Sequence, residues 1–333
     1  MKNDAMQKWR SAGLRLAAAA ILAVGVFGAQ QASAQVPGRF YWKTLSDASA
    51  VPLIVESISG NTNPFDPSHL VTPGGSFDAT MALGGYAQTF TLMDRSAMAA
   101  VILPMGRLKG EARTISGTSI QQSSAGFGDP MLEFNINLIG PQAQKNIPDV
   151  IRYQPGFSLD LLADLAIPIG KYNSEQALNL GQNRWYGRIG APMIVQIGPW
   201  VPGRRTTLEF LPAVWLFGEN SDFVGQTLKT DPLFQIDAHL TRDFTEHLWG
   251  AIDSSWYSGG AATIDGNSGS SRNDLAFGLT LGYTINENLN LTVGYKSTVN
   301  DSAPGDMHMD NFMITLVSGW HPLIEGSRRL RSE

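Results

Sequence analysis

Between residues 51 and 320 the chain repeats one pattern, with large apolar side chains at every second position and small or polar ones between them. Leu275, Phe277, Leu279, Leu281, Tyr283 and Ile285 alternate with Ala276, Gly278, Thr280, Gly282 and Thr284. Leu289, Leu291, Val293 and Tyr295 alternate with Asn290, Thr292, Gly294 and Lys296 after the polar turn Asn286-Glu287-Asn288. A period of two with a tight turn between the runs is the signature of a β-hairpin. Phe234, Ile236, Ala238 and Leu240 are set in the same way against Gln235, Asp237, His239, Thr241 and Asp243. Phe157, Leu159, Leu161, Ala163 and Leu165 oppose Ser158, Asp160 and Asp164, and Leu132, Phe134, Ile136 and Leu138 oppose Glu133, Asn135 and Asn137.

The pattern predicts twelve strands near 51–60, 79–92, 96–109, 126–139, 157–170, 185–198, 206–219, 231–244, 248–260, 273–285, 289–300 and 310–320. Ten residues at about 3.3 Å each, tilted by about 40°, cover roughly 25 Å, the height of the apolar band on an outer-membrane barrel. Short turns at 93–96, 245–247 and 286–288 alternate with longer polar or Gly-rich loops at 61–78, 110–125, 172–184, 219–230, 261–272 and 301–309, apart from the 140–156 segment. Transmembrane barrels have short periplasmic turns and longer outer loops. The polar faces mix isolated carboxylates with Gly, Ala, Asn and Ser, which suits a confined interior better than bulk water. The fold expected is therefore all-β: a transmembrane antiparallel barrel of about 12 strands over 51–320, with ten or fourteen as other counts. Residues 35–50 would form an N-terminal arm or plug, and 321–333 a basic tail after Trp320. Aromatic belts are expected from Phe244, Trp249, Tyr283 and Trp320 at one rim, and from Trp185, Trp215, Phe217, Trp256 and Tyr257 at the other.

The one long apolar run lies ahead of this region. Lys2, Lys8, Arg10 and Arg15 precede the 14-residue stretch Leu16–Ala29, and Ala32-Ser33-Ala34 offers a cleavage site. This reads as a secretory signal peptide over 1–34, too short to span a bilayer as a helix. Its removal takes four basic residues and Asp4, moving the net charge from −5 to −8. An exported, acidic chain gives no reason to expect nucleic acid as a partner. Charged residues make up 16% of the chain and there is no Cys, so neither disorder nor a thiolate or disulfide framework is supported. The location expected is the outer membrane of a Gram-negative bacterium, with lipid, small solutes and the barrel-assembly machinery as partners.

If the apolar faces meet lipid, the charged residues of the other faces line a lumen: Glu133, Asp160, Asp164, Arg188, Glu209, Asp237, His239, Asp243, Asp253 and Lys296. Seven carboxylates against two fixed cations would favour cations or neutral polar solutes in an open conduit. The alternative is an interior plugged by its own ion-pair network. No cofactor, metal site or catalytic residue is expected. The five His residues belong to no H-E-x-x-H motif, and no G-x-S-x-G motif is present. Asp265-Gly266-Asn267-Ser268-Gly269 lacks the terminal Glu of a Ca²⁺ loop. Gly126-Phe127-Gly128-Asp129-Pro130 reads as a turn entering a strand, with Asp129 placed to pin backbone N–H groups.

Several longer segments carry a resemblance. Gly126–Pro130, FSLDLLADLAIPIGKY from Phe157, NLGQNRWYG from Asn179, LEFLPAVWLFG from Leu208 and TDPLFQIDAHLTRDF from Thr230 resemble the phenol-degradation meta-pathway outer-membrane family, over about 77–320. That resemblance implies a β-barrel and a role in the passage of small organic compounds, aromatic or hydrophobic ones among them. The runner-up functions are an outer-membrane enzyme acting on lipid and a structural barrel without transport.

Overall fold

A computed structural model describes residues 37–72, 74–113, 119–299, 305–323 and 325. The expected leader over 1–34 and most of the basic tail lie outside the described residues. The described residues form eighteen strands: β1 Ser49–Gly60, β2 Ser76–Leu92, β3 Arg95–Arg113, β4 Ser119–Phe127, β5 Met131–Ile139, β6 Phe157–Ala166, β7 Tyr186–Gly190, β8 Met193–Gln196, β9 Thr206–Phe217, β10 Asn220–Phe223, β11 Gln226–Thr230, β12 Leu233–Asp243, β13 Leu248–Gly259, β14 Ala262–Ile264, β15 Asn267–Ser268, β16 Arg272–Asn286, β17 Leu289–Thr298 and β18 Met309–Trp320. One helix, α1 Ile147–Arg152, lies between β5 and β6. Among the described residues no helix is long and apolar enough to cross a membrane.

The wall is a closed antiparallel ring of twelve staves, because β4 with β5 and β7 with β8 each form one interrupted stave. Closure is made by β1 and β18, paired without a gap from Ser49↔Trp320 to Gly60↔Met309. Closing the ring leaves no unpaired edge, the condition a sheet must meet to stand in hydrocarbon.

Each of the three prolines inside wall strands has one continuous ladder and one interrupted ladder. Pro52 keeps its pairing to Val317, while the pairing to β2 skips from Ala50 to Leu53. Pro104 pairs with Leu83, and on its other side the stave breaks between Phe127 and Met131. Pro212 pairs with Ile236, and on its other side the stave breaks between Gly190 and Met193. A proline has no N–H to donate, so its second ladder cannot run through. These breaks divide the expected strands 126–139 and 185–198 in two.

Side-chain facing follows the alternation. Phe234, Ile236, Leu240, Phe277, Leu279 and Leu281 are exposed on the outside, while Gln235, Asp237, His239, Thr241 and Thr280 are buried inside. The aromatic belts need correction. Phe244, Tyr283, Trp185 and Trp256 are exposed, but Trp249, Trp215 and Tyr257 are buried and face the lumen. Each has a partner there: Arg39 lies over Trp249, Arg188 over Trp215, and His69 stands edge-on to Tyr257.

The connections also differ from expectation in places. β3 runs to Arg113 and β4 starts at Ser119, so most of 110–125 belongs to the wall. The 219–230 and 261–272 loops hold β10, β11, β14 and β15, which form a separate four-stranded sheet. The Asp265-Gly266 pair is its hairpin turn, with both residues at positive φ (46° and 82°), so the calcium-loop resemblance has a purely local cause.

Candidate functional site

The short turns and the 140–156 connection lie at one rim, called here the turn end, and the other longer connections at the opposite rim, the loop end. The lumen between them has two chemically distinct halves.

The turn half is polar and filled. Residues 37–48 enter it, burying Arg39, Phe40, Trp42, Lys43 and Leu45. Arg39 donates from Nη1 to Asp243 (2.6 Å), from Nε to Thr241 (3.2 Å) and from its backbone N–H to Glu209 (2.8 Å). Trp42 donates its indole N–H to the second Glu209 oxygen at 2.7 Å. Lys43 pairs with Asp160, which also accepts from Asn137. Arg205 reaches Asp243 at 2.7 Å, completing a pair of guanidinium groups on one carboxylate. Arg39 and Arg205 both stack on Trp42. The spaces left around the segment are about 10 to 20 Å³ each, room for one water. Leu45 packs under Ile147 and Val150 of the α1 region, so this element covers the segment from the turn end.

All ten residues singled out as lumen-lining are buried inside the wall. Cross-strand register brings most of them together. Glu133, Asp164 and Arg188 are neighbours across β5, β6 and β7, with Arg188 Nε donating to Asp164 at 2.6 Å. His239 pairs with Asp253, its register partner on β13, at 2.6 Å, rather than with its sequence neighbour Asp237. Thr280 donates to the other Asp253 oxygen (2.6 Å). Asp237 accepts from Gln235 and Ser255, and Lys296 donates to Ser255. Both carboxylate oxygens of Glu133 lack a hydrogen-bond partner. His239 Nε2 meets no hydroxyl, so the Asp–His pair has no nucleophile attached.

The charge balance also differs from the sequence count. Seven carboxylates faced two fixed cations, but Arg39, Lys43 and Arg205 add three more, all buried against those acids. Arg39 and Lys43 flank the aromatic run Phe40-Tyr41-Trp42. A basic and aromatic cluster ahead of the first strand was the signal available for them. The lumen at this level is an ion-pair network closed over a segment of the chain, not an acidic conduit.

The loop half is apolar. Ile54, Ile58, Met81, Leu83, Ile102, Leu108, Met131, Tyr186, Trp215, Tyr257, Met309 and Met313 face inward from the wall and form one cluster. Phe65 from the 61–72 connection, and Leu178 and Leu180 from the 167–185 connection, pack into its centre. The two connections lock to each other. Gln182 donates to the Phe65 carbonyl, Asn63 to the Asn179 carbonyl, and Arg184 to Asp66 and Ser68. They are tied to the wall at Asp129. One oxygen accepts from Gly170 N–H (2.8 Å), the other from Gln182 N–H (2.7 Å). A Cβ on Gly170 would lie 2.5 Å from the Gly128 carbonyl carbon, so only glycine lets the connection approach this closely.

Comparison with known proteins gives the following likenesses. A solved outer membrane channel from Pseudomonas putida F1 is 18% identical, covers 86% of this chain and all of its own, and superposes with a TM-score of 0.68. That likeness shows the fold. The β domain of the Bordetella autotransporter BrkA (8% identity, 83% of this chain, 100% of that one, TM-score 0.47) and a mutant of the monoaromatic hydrocarbon channel TodX (12%, 86%, 93%, 0.42) also match, too distantly to carry an argument. No curated protein matches the chain. The profile of one protein family, described as "Putative MetA-pathway of phenol degradation", matches residues 59–316.

Proposed function

This chain belongs to the family described as "Putative MetA-pathway of phenol degradation", and from that premise we propose that it is an outer-membrane channel for the passive passage of small organic compounds, aromatic and hydrophobic ones in particular. The observation that carries this reading is the apolar inward face of the loop half. A barrel that conducts only water and ions has no need to bury Met81, Met131, Met309, Trp215 and Tyr257 towards its lumen. Once Phe65, Leu178 and Leu180 move out of its centre, such a face offers a hydrophobic or aromatic solute a favourable site, at about 25 cal/mol for each Å² of apolar surface removed from water. The channel described for Pseudomonas putida F1 shares the architecture.

The short turns face the periplasm and the long connections the outside, by the usual orientation of such barrels. The exposed apolar band of Leu53, Val55, Leu161, Leu279, Leu281 and Ile314 contacts membrane lipid. Export by the 1–34 leader and insertion by the barrel-assembly machinery complete the route to the outer membrane. Residues 37–48 act as a plug on the periplasmic side. A solute held in the apolar half passes inward when that segment shifts. The enzyme reading has no geometric support in the lumen among the described residues, because the Asp253–His239 pair has no hydroxyl or thiol at His239 Nε2, and the Thr280 hydroxyl is bonded to the carboxylate instead.

Growth is the functional test. A strain lacking this protein should grow more slowly than the complemented strain on limiting aromatic carbon sources, and equally on succinate. Equal growth on every aromatic compound tried would contradict the proposed role.

A further inference from the structure

The apolar chamber contains one group that neither the fold nor the plug uses. His69 sits in the 61–72 connection, fully buried, with its ring edge-on to Tyr257 at 4.9 Å. Neither ring nitrogen has a hydrogen-bond partner. Its backbone is in the left-handed region (φ 50°), an uncommon state for a residue other than glycine. Burial pushes the imidazole pKa down to about 4, with Asp66 opposing the shift and Arg272 adding to it. The neutral ring offers one donor and one acceptor. Two further unsatisfied atoms lie on the same wall: Arg272 Nη1 and Asp274 Oδ2. Asp274 is the register partner of Tyr257, and Arg272 that of Gly259, so both flank the tyrosine against which His69 packs.

Buried polar atoms without partners cost free energy, and three residues sharing that cost on one patch of a mainly apolar half define a recognition point. We infer that His69, flanked by Arg272 and Asp274, is the hydrogen-bonding subsite for a small solute carrying one hydroxyl on an apolar body. The body lies among the aromatic and methionine side chains, and the hydroxyl, both donor and acceptor, meets the imidazole. This inference rests on the conduit reading for its biological use, but binding at the subsite does not depend on transport.

Phenol and toluene provide the test, because they differ by a hydroxyl in place of a methyl at nearly equal size. Their binding to the purified full-length protein in detergent is followed by tryptophan fluorescence, since Trp215 belongs to the same apolar cluster. The wild type should favour phenol over toluene by about fivefold more than H69F does, the value of one neutral hydrogen bond. H69F should bind toluene as the wild type does, which also shows that it is folded, and H69Q should keep most of the phenol preference. An unchanged phenol-to-toluene ratio in H69F, or no phenol binding by the wild type, overturns the subsite. If H69F fails to fold, ¹⁵N shifts of the His69 ring decide in the wild type: they should move on adding phenol and not toluene, and fixed shifts on phenol overturn the proposal. Binding without any accelerated cellular uptake would remove the conduit reading and leave the subsite standing.

Discussion

Arg39 and Asp243 are 204 residues apart in sequence and 2.6 Å apart in the lumen, both almost completely buried. Their pairing ties the segment ahead of the first strand to the end of β12. It also reduces the acidic excess of the interior, where five cations in all face the seven carboxylates. Asp243 takes a second guanidinium from Arg205, so the carboxylate is shared between the wall's turn end and the plug.

Breaking this tie should open the turn half. Arg39→Ala removes the contacts to Asp243 and Thr241 and the stacking on Trp42 and Trp249. Deleting one partner of a buried ion pair costs about 3–5 kcal/mol, here mostly from the docking of residues 37–48 rather than from the wall. Planar-bilayer recording should show larger and more frequent conductance steps for the variant than for the wild type. Identical traces would mean that Arg39 does not hold the segment.

The facing of the wall can be tested at Leu279, in the middle of β16 and 64% exposed. An Arg there, near the bilayer midplane, should lower stability by about 2–4 kcal/mol, while Leu279→Phe should be nearly neutral. Urea unfolding in liposomes gives the comparison. The adjacent Thr280 is an inward position bonded to Asp253, with only about 20 Å³ of space nearby. Thr280→Val should therefore act through a lost hydrogen bond, by about 1 kcal/mol, and not through lipid.

Asp129 should control the order of the 167–185 connection. Asp129→Asn keeps the shape but replaces one acceptor oxygen by an NH₂ group facing a backbone N–H. The loss should be about 1–3 kcal/mol. It should appear as faster hydrogen exchange at the Gly170 and Gln182 amides, with the wall strands β12 and β13 unchanged. Unaltered exchange at both amides would remove the tethering role.

The wall was largely legible in the sequence because one of its faces meets lipid and the other meets polar groups. The run from Phe234 to Asp243 alternates without a fault, and β12 covers Leu233–Asp243. Legibility failed where both faces are apolar. In β1, Leu53 and Val55 face out while Ile54 and Ile58 face in around Glu56, so nothing in the alternation announces a hydrophobic cluster inside. The stave breaks opposite Pro104 and Pro212 depend on a neighbouring strand as well as on the local Pro130 and Pro192, so the strand's own sequence carries only half of the signal. The plug is a case of long-range complementarity: Arg39 and Lys43 acquire meaning only once register has gathered Asp160, Glu209 and Asp243 onto one wall. By contrast, the Asp129 tether was readable, because a lone Asp between glycines and a proline has few uses beyond holding backbone N–H groups.

The decisive measurement is the rate at which a labelled aromatic hydrocarbon such as toluene enters cells whose outer membrane is intact, with and without this protein. Lipopolysaccharide slows hydrophobic compounds, so a channel with an apolar chamber should raise the initial rate several-fold, while the wild-type protein passes little ion current in a planar bilayer. No acceleration for toluene or any other small organic compound, in the wild type and in Arg39→Ala alike, would contradict passage through this barrel and leave a closed structural barrel in its place.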